Sequence, residues 1–215
     1  LMMHMILMMK RYLTAMIACC CLHFGIVSWV SAQPILDHDL RVRLEPQRNF
    51  LAAEDRIRVA NSAQSRIQFH MADHLEIVAV QLNGQPARYT FSGGRLTIDA
   101  GNDQRSHQLL IAYRGDYNDK APVQPLNTDN PGYGVTGTIG PRGTLLLAGA
   151  GWYPGSHQAA STYTLSIDAP EGILGVTAGQ NLGHHAAGGR TMSKWRIERP
   201  LRGLSLSAGP FQLST

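Results

Sequence analysis

The histidines of this 215-residue chain come closest to the spacing of a metal site. His70 and His74 lie four residues apart, as do two of the zinc ligands of a zincin helix. Met71, however, stands where that motif has the glutamate that acts as general base. The apolar residues around the pair favour a strand, a turn and a second strand, so that the two imidazoles would point apart. We therefore predict two partly exposed histidines here and no metal ion.

Other residues of chemical interest also lack the context of a catalytic site. His184-His185 lies in a segment of small residues, 179–189, which we predict to be a mobile loop without a metal. Ser156, His157 and Asp168 match a hydrolase triad by type, but Ser156 is outside a G-x-S-x-G turn and no α/β alternation surrounds it. The carboxylates Asp37, Asp39, Glu54 and Asp55 are predicted to be solvated strand ends. The sequence thus predicts no catalytic residue, metal ligand or cofactor.

A candidate binding surface lies in the glycine-rich stretch 149–155. Trp152 and Tyr153, with His157 nearby, would form an aromatic platform for a glycan or a protein if both rings were exposed. The alternative is that glycines turn the backbone while both rings pack in the core. The stretch lacks the G-x-G-x-x-G spacing and the following helix of a phosphate-binding loop.

Alternation of apolar and polar residues predicts the elements that carry these residues. Leu40, Val42 and Leu44 alternate with charged residues, which indicates a strand with one dry face and one wet face. The pattern recurs almost to the C-terminus, and Asn83-Gly84 is a strong hairpin signal. A proline- and glycine-rich stretch, 116–143, predicts a long connection. We predict an all-β fold, an antiparallel two-sheet sandwich with a saddle-like shape.

The first 32 residues have the features of a secretory signal peptide that forms a helix. Lys10 and Arg11 precede an apolar stretch, and Val30-Ser31-Ala32 supplies small residues before a cleavage point at Gln33. We therefore expect an exported protein, periplasmic or extracellular, with residues 33–215 forming a single β-sandwich domain. An uncleaved membrane anchor is the less favoured alternative.

Cleavage also changes the composition. All three cysteines leave with the signal, so the mature domain has no thiol nucleophile or thiolate metal site. The formal charge of the whole chain is +4, and Lys10 and Arg11 leave with the signal as well. The remaining basic residues alternate with acidic ones. We accordingly expect no nucleic-acid partner and, after cleavage, no membrane association.

Several stretches in order resemble the N-terminal β-domain of the zinc metallo-aminopeptidases, the gluzincin family of alanyl aminopeptidase and leukotriene hydrolase. They cover nearly the whole mature chain: 40–46 with 55–59, the strand into Asn83-Gly84, 110–115, Trp152-Tyr153-Pro154 with 163–172, and Trp195 with 204–211. Each motif is short, and their order is what carries the resemblance.

The resemblance implies a domain without catalysis of its own. In that family the zinc ligands lie on an H-E-x-x-H helix of a following catalytic domain, and no such motif occurs here. Zinc is therefore expected only in a separate catalytic domain, with this chain shaping or covering the peptidase cleft, as part of a longer gene product or a truncated form of one. The expected partner is that catalytic domain or another protein. A free-standing secreted module that binds a glycan or a protein is the alternative.

Overall fold

The computed structural model describes residues 36–59, 65–101, 106–120, 134–156 and 159–212. The predicted signal peptide and His157 lie outside these ranges. In the described part the regular elements are strands and two 3₁₀ turns, Pro46–Arg48 and Ala148–Ala150, and no helix there is long and apolar enough to cross a membrane. The strands are β1 (Leu36–Glu45), β2 (Phe50–Val59), β3 (Arg66–His70), β4 (Glu76–Leu82), β5 (Gln85–Pro86), β6 (Tyr89–Ser92), β7 (Arg95–Asp99), β8 (His107–Asp116), β9 (Gly137–Gly140), β10 (Gly143–Leu146), β11 (Ser161–Pro170), β12 (Leu174–Thr177), β13 (Gln180–Ala187), β14 (Arg190–Leu201) and β15 (Leu206–Gly209).

An eight-stranded sheet, in the order β13-β14-β11-β1-β2-β8-β4-β5, forms one layer. Its inward side chains follow the predicted alternation: Leu40, Val42 and Leu44 of β1 are almost completely buried, whereas Arg41 and Arg43 point outward. Residues of like polarity share a face because side chains alternate along a strand. The all-β fold is confirmed.

Two smaller sheets pack under the large one. One has four strands in the order β12-β15-β10-β9, and the other has three in the order β3-β7-β6. The architecture of the described residues is therefore sandwich-like, but with three sheets rather than two, and β1 pairs in parallel with β11. Alternation within a strand fixes its faces but not its partner or direction, so the sequence pattern could not reveal either difference.

The outward sides of the large sheet and of the four-stranded sheet differ sharply in charge. The outward side of the large sheet, here called the charged face, carries ion pairs such as Arg114 with Glu76 and Arg190 with Asp168. In contrast, the four strands of the four-stranded sheet contain no charged residue. Its outward row, called the uncharged face, runs across the sheet as Val176, Ser207, Leu145 and Thr138.

The segment that contains His184 and His185 is a strand, so the prediction of a loop was wrong. β13 pairs with β14 through a tight turn at Gly188-Gly189, where both glycines have positive φ. This backbone conformation matches the twist of a two-residue hairpin. Small residues hid the strand because β13 lies at a sheet edge, where few of its side chains pack in the core.

Candidate functional site

The glycine-rich loop, residues 147–156, follows β10 and is fastened to the turn after β3 by backbone hydrogen bonds. The N–H of His70 donates to the carbonyl of Gly155 (2.8 Å), and the N–H of Gly155 donates back to His70 (3.0 Å). The N–H of Ala72 donates to the carbonyl of Gly151, also at 2.8 Å. The loop thus extends the edge of the three-stranded sheet and has a defined path.

Gly151 permits the closest of these approaches. Its φ is +63°, and a Cβ built there would lie 2.5 Å from the backbone nitrogen of Ala72 and 2.8 Å from the carbonyl carbon of Met71. A side chain would therefore be strained by its backbone conformation and would collide with backbone atoms. Glycine at this position lets the loop lie directly on the 71–72 backbone.

Trp152 and Tyr153 anchor the loop from inside. Their side chains are 0% and 4% exposed. The indole N–H of Trp152 donates to the carbonyl of Leu204 (3.1 Å), and the Tyr153 hydroxyl accepts from the Leu204 N–H (3.0 Å). A flat aromatic platform needs exposed rings, so this burial favours packing over ligand binding for both residues. His157, the third residue of the candidate surface, lies outside the described residues.

On its outer side the loop borders a cleft of about 260 Å³. The cleft is walled largely by glycine backbone, with the side chains of His70, Ser156 and Arg202 and part of Tyr153. Ser156 accepts a hydrogen bond from the N–H of Ala159 (3.2 Å). These walls offer backbone polar groups and one guanidinium to whatever packs against the loop.

Beneath the loop lies a polar core cluster, formed by His38, Asp55, Tyr113, Tyr153 and Tyr163. Four of these residues come from adjacent strands of the large sheet, β11, β1, β2 and β8, and form a diagonal stripe on its inward side. The Nδ1 of His38 donates to Asp55 Oδ2 (2.7 Å), and both side chains have no exposed surface. The His38 ring stacks on Tyr163 (centroids 4.7 Å apart, planes at 16°) and meets Tyr153 edge-on (6.2 Å).

Three atoms of the cluster have no hydrogen-bond partner among the described residues: His38 Nε2, Asp55 Oδ1 and the Tyr113 hydroxyl. The prediction that Asp55 is a solvated strand end was wrong, since it is completely buried. A signal was present in the sequence, because His38 and Asp55 occupy positions that alternation assigns to the core. Polar residues at predicted core positions mean either that the strand was predicted in the wrong register or that the residues form a buried hydrogen bond. The structure shows a buried hydrogen bond.

Burial sets the ionisation of the cluster's tyrosines. It raises the pKa of Tyr113 well above the ordinary value, and the nearby Asp55 carboxyl adds to this. Burial likewise raises the pKa of Tyr163 and of Tyr153, whose hydroxyls hydrogen-bond each other. All three phenols are therefore neutral at physiological pH and do not act as general bases.

Comparisons with known proteins place this geometry in a structural context. No protein-family model matches the sequence, and no curated protein matches it significantly. Solved structures do match. An M1 zinc metallopeptidase mutant from Deinococcus radiodurans, bound to a Tyr-Ser-Ala substrate, superimposes with a TM-score of 0.65 and 16% identity, over 82% of this chain and 42% of that one. Native yeast LTA4 hydrolase gives a TM-score of 0.61 and 16% identity, over 84% of this chain and 29% of that one.

The chain has the fold of one part of an M1 zinc metallopeptidase. It spans less than half of the length of these M1 structures, which fits the N-terminal domain that the sequence resemblance indicates. Identities this low establish the shared M1 fold, and activity has to be argued from the residues themselves.

The remaining candidate residues are the two histidines of the 70–74 stretch and Asp168. His70 ends β3 and is half-buried, while His74 lies in the following turn, 47% exposed and edge-on to Tyr117. The predicted strand, turn and partly exposed histidines are confirmed. Asp168 lies on the charged face, bound by Arg190 (2.6 Å). In the described part of the chain no three His, Cys, Asp or Glu side chains group as metal ligands.

Proposed function

We propose that this chain is a non-catalytic domain that covers and shapes one side of the cleft of an exported, zinc aminopeptidase-like protein. The observation that carries the proposal is the fold match, which uses four-fifths of this chain but less than half of the matched peptidase. That peptidase is described with a bound Tyr-Ser-Ala peptide, so a peptide substrate is the corresponding expectation here. Zinc would belong to the catalytic domain and not to this chain.

The uncharged face is the surface best suited to contact a catalytic domain. Covering the charged face would strip water from many arginines and carboxylates, which is costly unless every charge finds a partner. The uncharged face carries no such cost, and Leu145, Leu147 and Phe211 are exposed on or beside it. Interface cores are depleted in charge in the same way.

This placement of the catalytic domain would also bring it next to the glycine-rich loop. It leaves the four-stranded sheet at the end of β10 and therefore lies at the border of the uncharged face. If the uncharged face contacts a catalytic domain, the cleft lined by His70, Ser156 and Arg202 would open at the edge of the interface between the two domains. The loop would then form part of the rim of the peptide-binding cleft.

The first test is the coding sequence downstream of the Thr215 codon. An in-frame continuation that encodes H-E-x-x-H supports the proposal, and the complete product should hydrolyse aminoacyl anilides in a zinc-dependent way. Zinc-dependent hydrolysis by the purified 215-residue chain alone would contradict it.

A matched pair of variants of the complete product then tests the docking face. Leu145→Lys places a charge on the uncharged face, whereas Val78→Lys places one at an exposed apolar residue (54%) of the charged face. We expect Leu145→Lys to lower kcat/KM at least about tenfold, as expected for an unpaired charge within an interface, and Val78→Lys to leave it nearly unchanged. Equal effects of the two variants would exclude this face as the contact.

Export is part of the same proposal. We expect the mature protein in the periplasm or the medium, beginning at Gln33, and N-terminal sequencing of the secreted form would establish this. A free-standing binding module remains the alternative. A secreted monomer that is stable alone and binds immobilised glycans or a protein partner, with no peptidase encoded downstream, would favour that module.

A further inference from the structure

The His38–Asp55 pair is hard to explain as a stabilising element. Both side chains are fully buried, and each has one polar atom without a partner among the described residues, His38 Nε2 and Asp55 Oδ1. Burying such a pair has a desolvation cost that often exceeds the attraction gained, and well-packed apolar residues frequently replace a buried pair without loss. The pair therefore calls for an explanation other than the stability of the fold.

The contacts of the pair lead directly to the glycine-rich loop. Asp55 holds Nδ1 of His38 and so fixes the plane of the imidazole ring. That ring stacks on Tyr163 and meets the edge of Tyr153, and the two tyrosine rings also meet at 85° with centroids 5.9 Å apart. Tyr153 then accepts the N–H of Leu204. One contact chain thus joins a buried carboxylate in β2 to the loop.

The side chains around His38 leave it few alternative orientations. Asp55 comes from β2, Tyr163 from β11 and Tyr153 from the loop, and Tyr113 of β8 lies on the far side of Asp55. A Leu in place of His38 would fill similar space, but it would have neither a hydrogen bond to set its orientation nor a flat face for Tyr163. Packing alone tolerates several arrangements, whereas a directional hydrogen bond selects one.

We propose that His38 and Asp55 are positioning residues, which fix the conformation of the glycine-rich loop through Tyr153 and Tyr163 instead of adding to the stability of the fold. This positioning role is argued from the contacts of the pair and does not depend on the proposed function. Only its functional consequence, a rigid rim on a peptide-binding cleft, rests on the proposed function.

The test compares loop order with global stability in the full chain. Amide hydrogen exchange is followed by mass spectrometry for peptides that cover 149–156, with peptides of β4 as the internal reference, and Tm is measured in parallel. For the double variant His38→Leu/Asp55→Val we expect Tm to stay within about 2 °C of wild type or to rise. Exchange in the loop should become about tenfold faster while β4 is unchanged.

Three further variants separate geometry from chemistry. His38→Gln keeps a donor for Asp55 but has no ring, so it should accelerate loop exchange as the double variant does. Asp55→Asn keeps an acceptor for Nδ1 and should preserve loop protection. Tyr113→Phe, the control, removes a buried hydroxyl that has no hydrogen-bond partner among the described residues, and it should leave loop exchange unchanged.

Two outcomes would overturn the proposal. One is loop exchange at the wild-type rate in both the double variant and His38→Gln. The other combines two results: the double variant loses more than about 5 °C in Tm or fails to fold, and His38→Gln leaves loop exchange unaltered. The pair would then be a stabilising element only. Neither measurement involves peptidase activity, so failure here is distinguishable from failure of the proposed function.

Discussion

Replacing Gly151 by alanine tests whether the loop really lies on the 71–72 backbone. The substitution adds a Cβ at φ +63°, 2.5 Å from the nitrogen of Ala72 and 2.8 Å from the carbonyl carbon of Met71. The left-handed conformation costs a non-glycine residue about 1–2 kcal/mol, and the forced backbone displacement adds about 1–3 kcal/mol. We expect unfolding free energy to fall by about 2–5 kcal/mol in urea titrations and Tm to fall by about 5–15 °C.

Gly84→Ala is the matched control for this prediction. Gly84 has a φ of +80° in an exposed hairpin turn, and a Cβ there would have no neighbour within 4 Å. Like Gly151→Ala, Gly84→Ala has the cost of the left-handed conformation and reduces the entropy of the unfolded chain, but it creates no collision. We therefore expect its unfolding free energy to fall by only about 1 kcal/mol. Equal losses of unfolding free energy in the two variants would refute the close approach of the loop, whatever their absolute size.

Three other predictions concern the anchors and the charges. Trp152→Phe removes a buried hydrogen bond to Leu204 and should cost about 2–4 kcal/mol in urea titrations, with faster exchange in the loop; Trp195→Phe, which loses a comparable bond to Gly175, should destabilise without loosening the loop. Hydrogen bonds from the backbone N–H groups of Gly137 and Thr136 lower the pKa of Asp119 in the folded protein. The ionised Asp119 therefore stabilises the fold above the ordinary aspartate pKa of about 3.9, and this contribution is lost as the pH falls through the lower folded-state pKa. The urea midpoints of wild type and Asp119→Asn should therefore differ at neutral pH and converge in acid, and a constant difference would contradict this. Burial raises the pKa of Tyr113, Tyr117, Tyr153 and Tyr163, so stability should be full below the unfolded tyrosine pKa of about 10 and decline above it. Phenolate absorbance should then appear together with the loss of far-ultraviolet circular dichroism, and phenolate formation in a folded chain by these four groups would argue against their burial.

Local pattern predicted much of the fold because the large sheet has one buried and one solvated face. The alternation of β1, β2 and β11 and the turn at Asn83-Gly84 all appear where the residues place them. β13 was missed because an edge strand buries few side chains and so leaves little apolar alternation to detect. The parallel β1–β11 pair was missed because pairing depends on residues far apart in sequence.

The candidate site was harder to predict for the same reason. Trp152 and Tyr153 were singled out as a candidate binding surface, but both are buried, and they hydrogen-bond Leu204, about fifty residues later. Asp55 was assigned to solvent by residue type, although its place in the alternation put it in the core. Residue type and position disagreed there, and the hydrogen bond from His38 in another strand resolved the disagreement.

The parallel pairing of β1 with β11 also has a consequence for how the protein folds. Leu36 aligns with Ser161 and Arg43 with Asp168, so the first strand gains one of its two neighbours only after most of the chain has been made. Such distant contacts raise the contact order, and closing so large a loop slows folding. Until then one edge of β1 is open to wrong pairing, so the nascent chain depends on being kept apart from other strands during this interval.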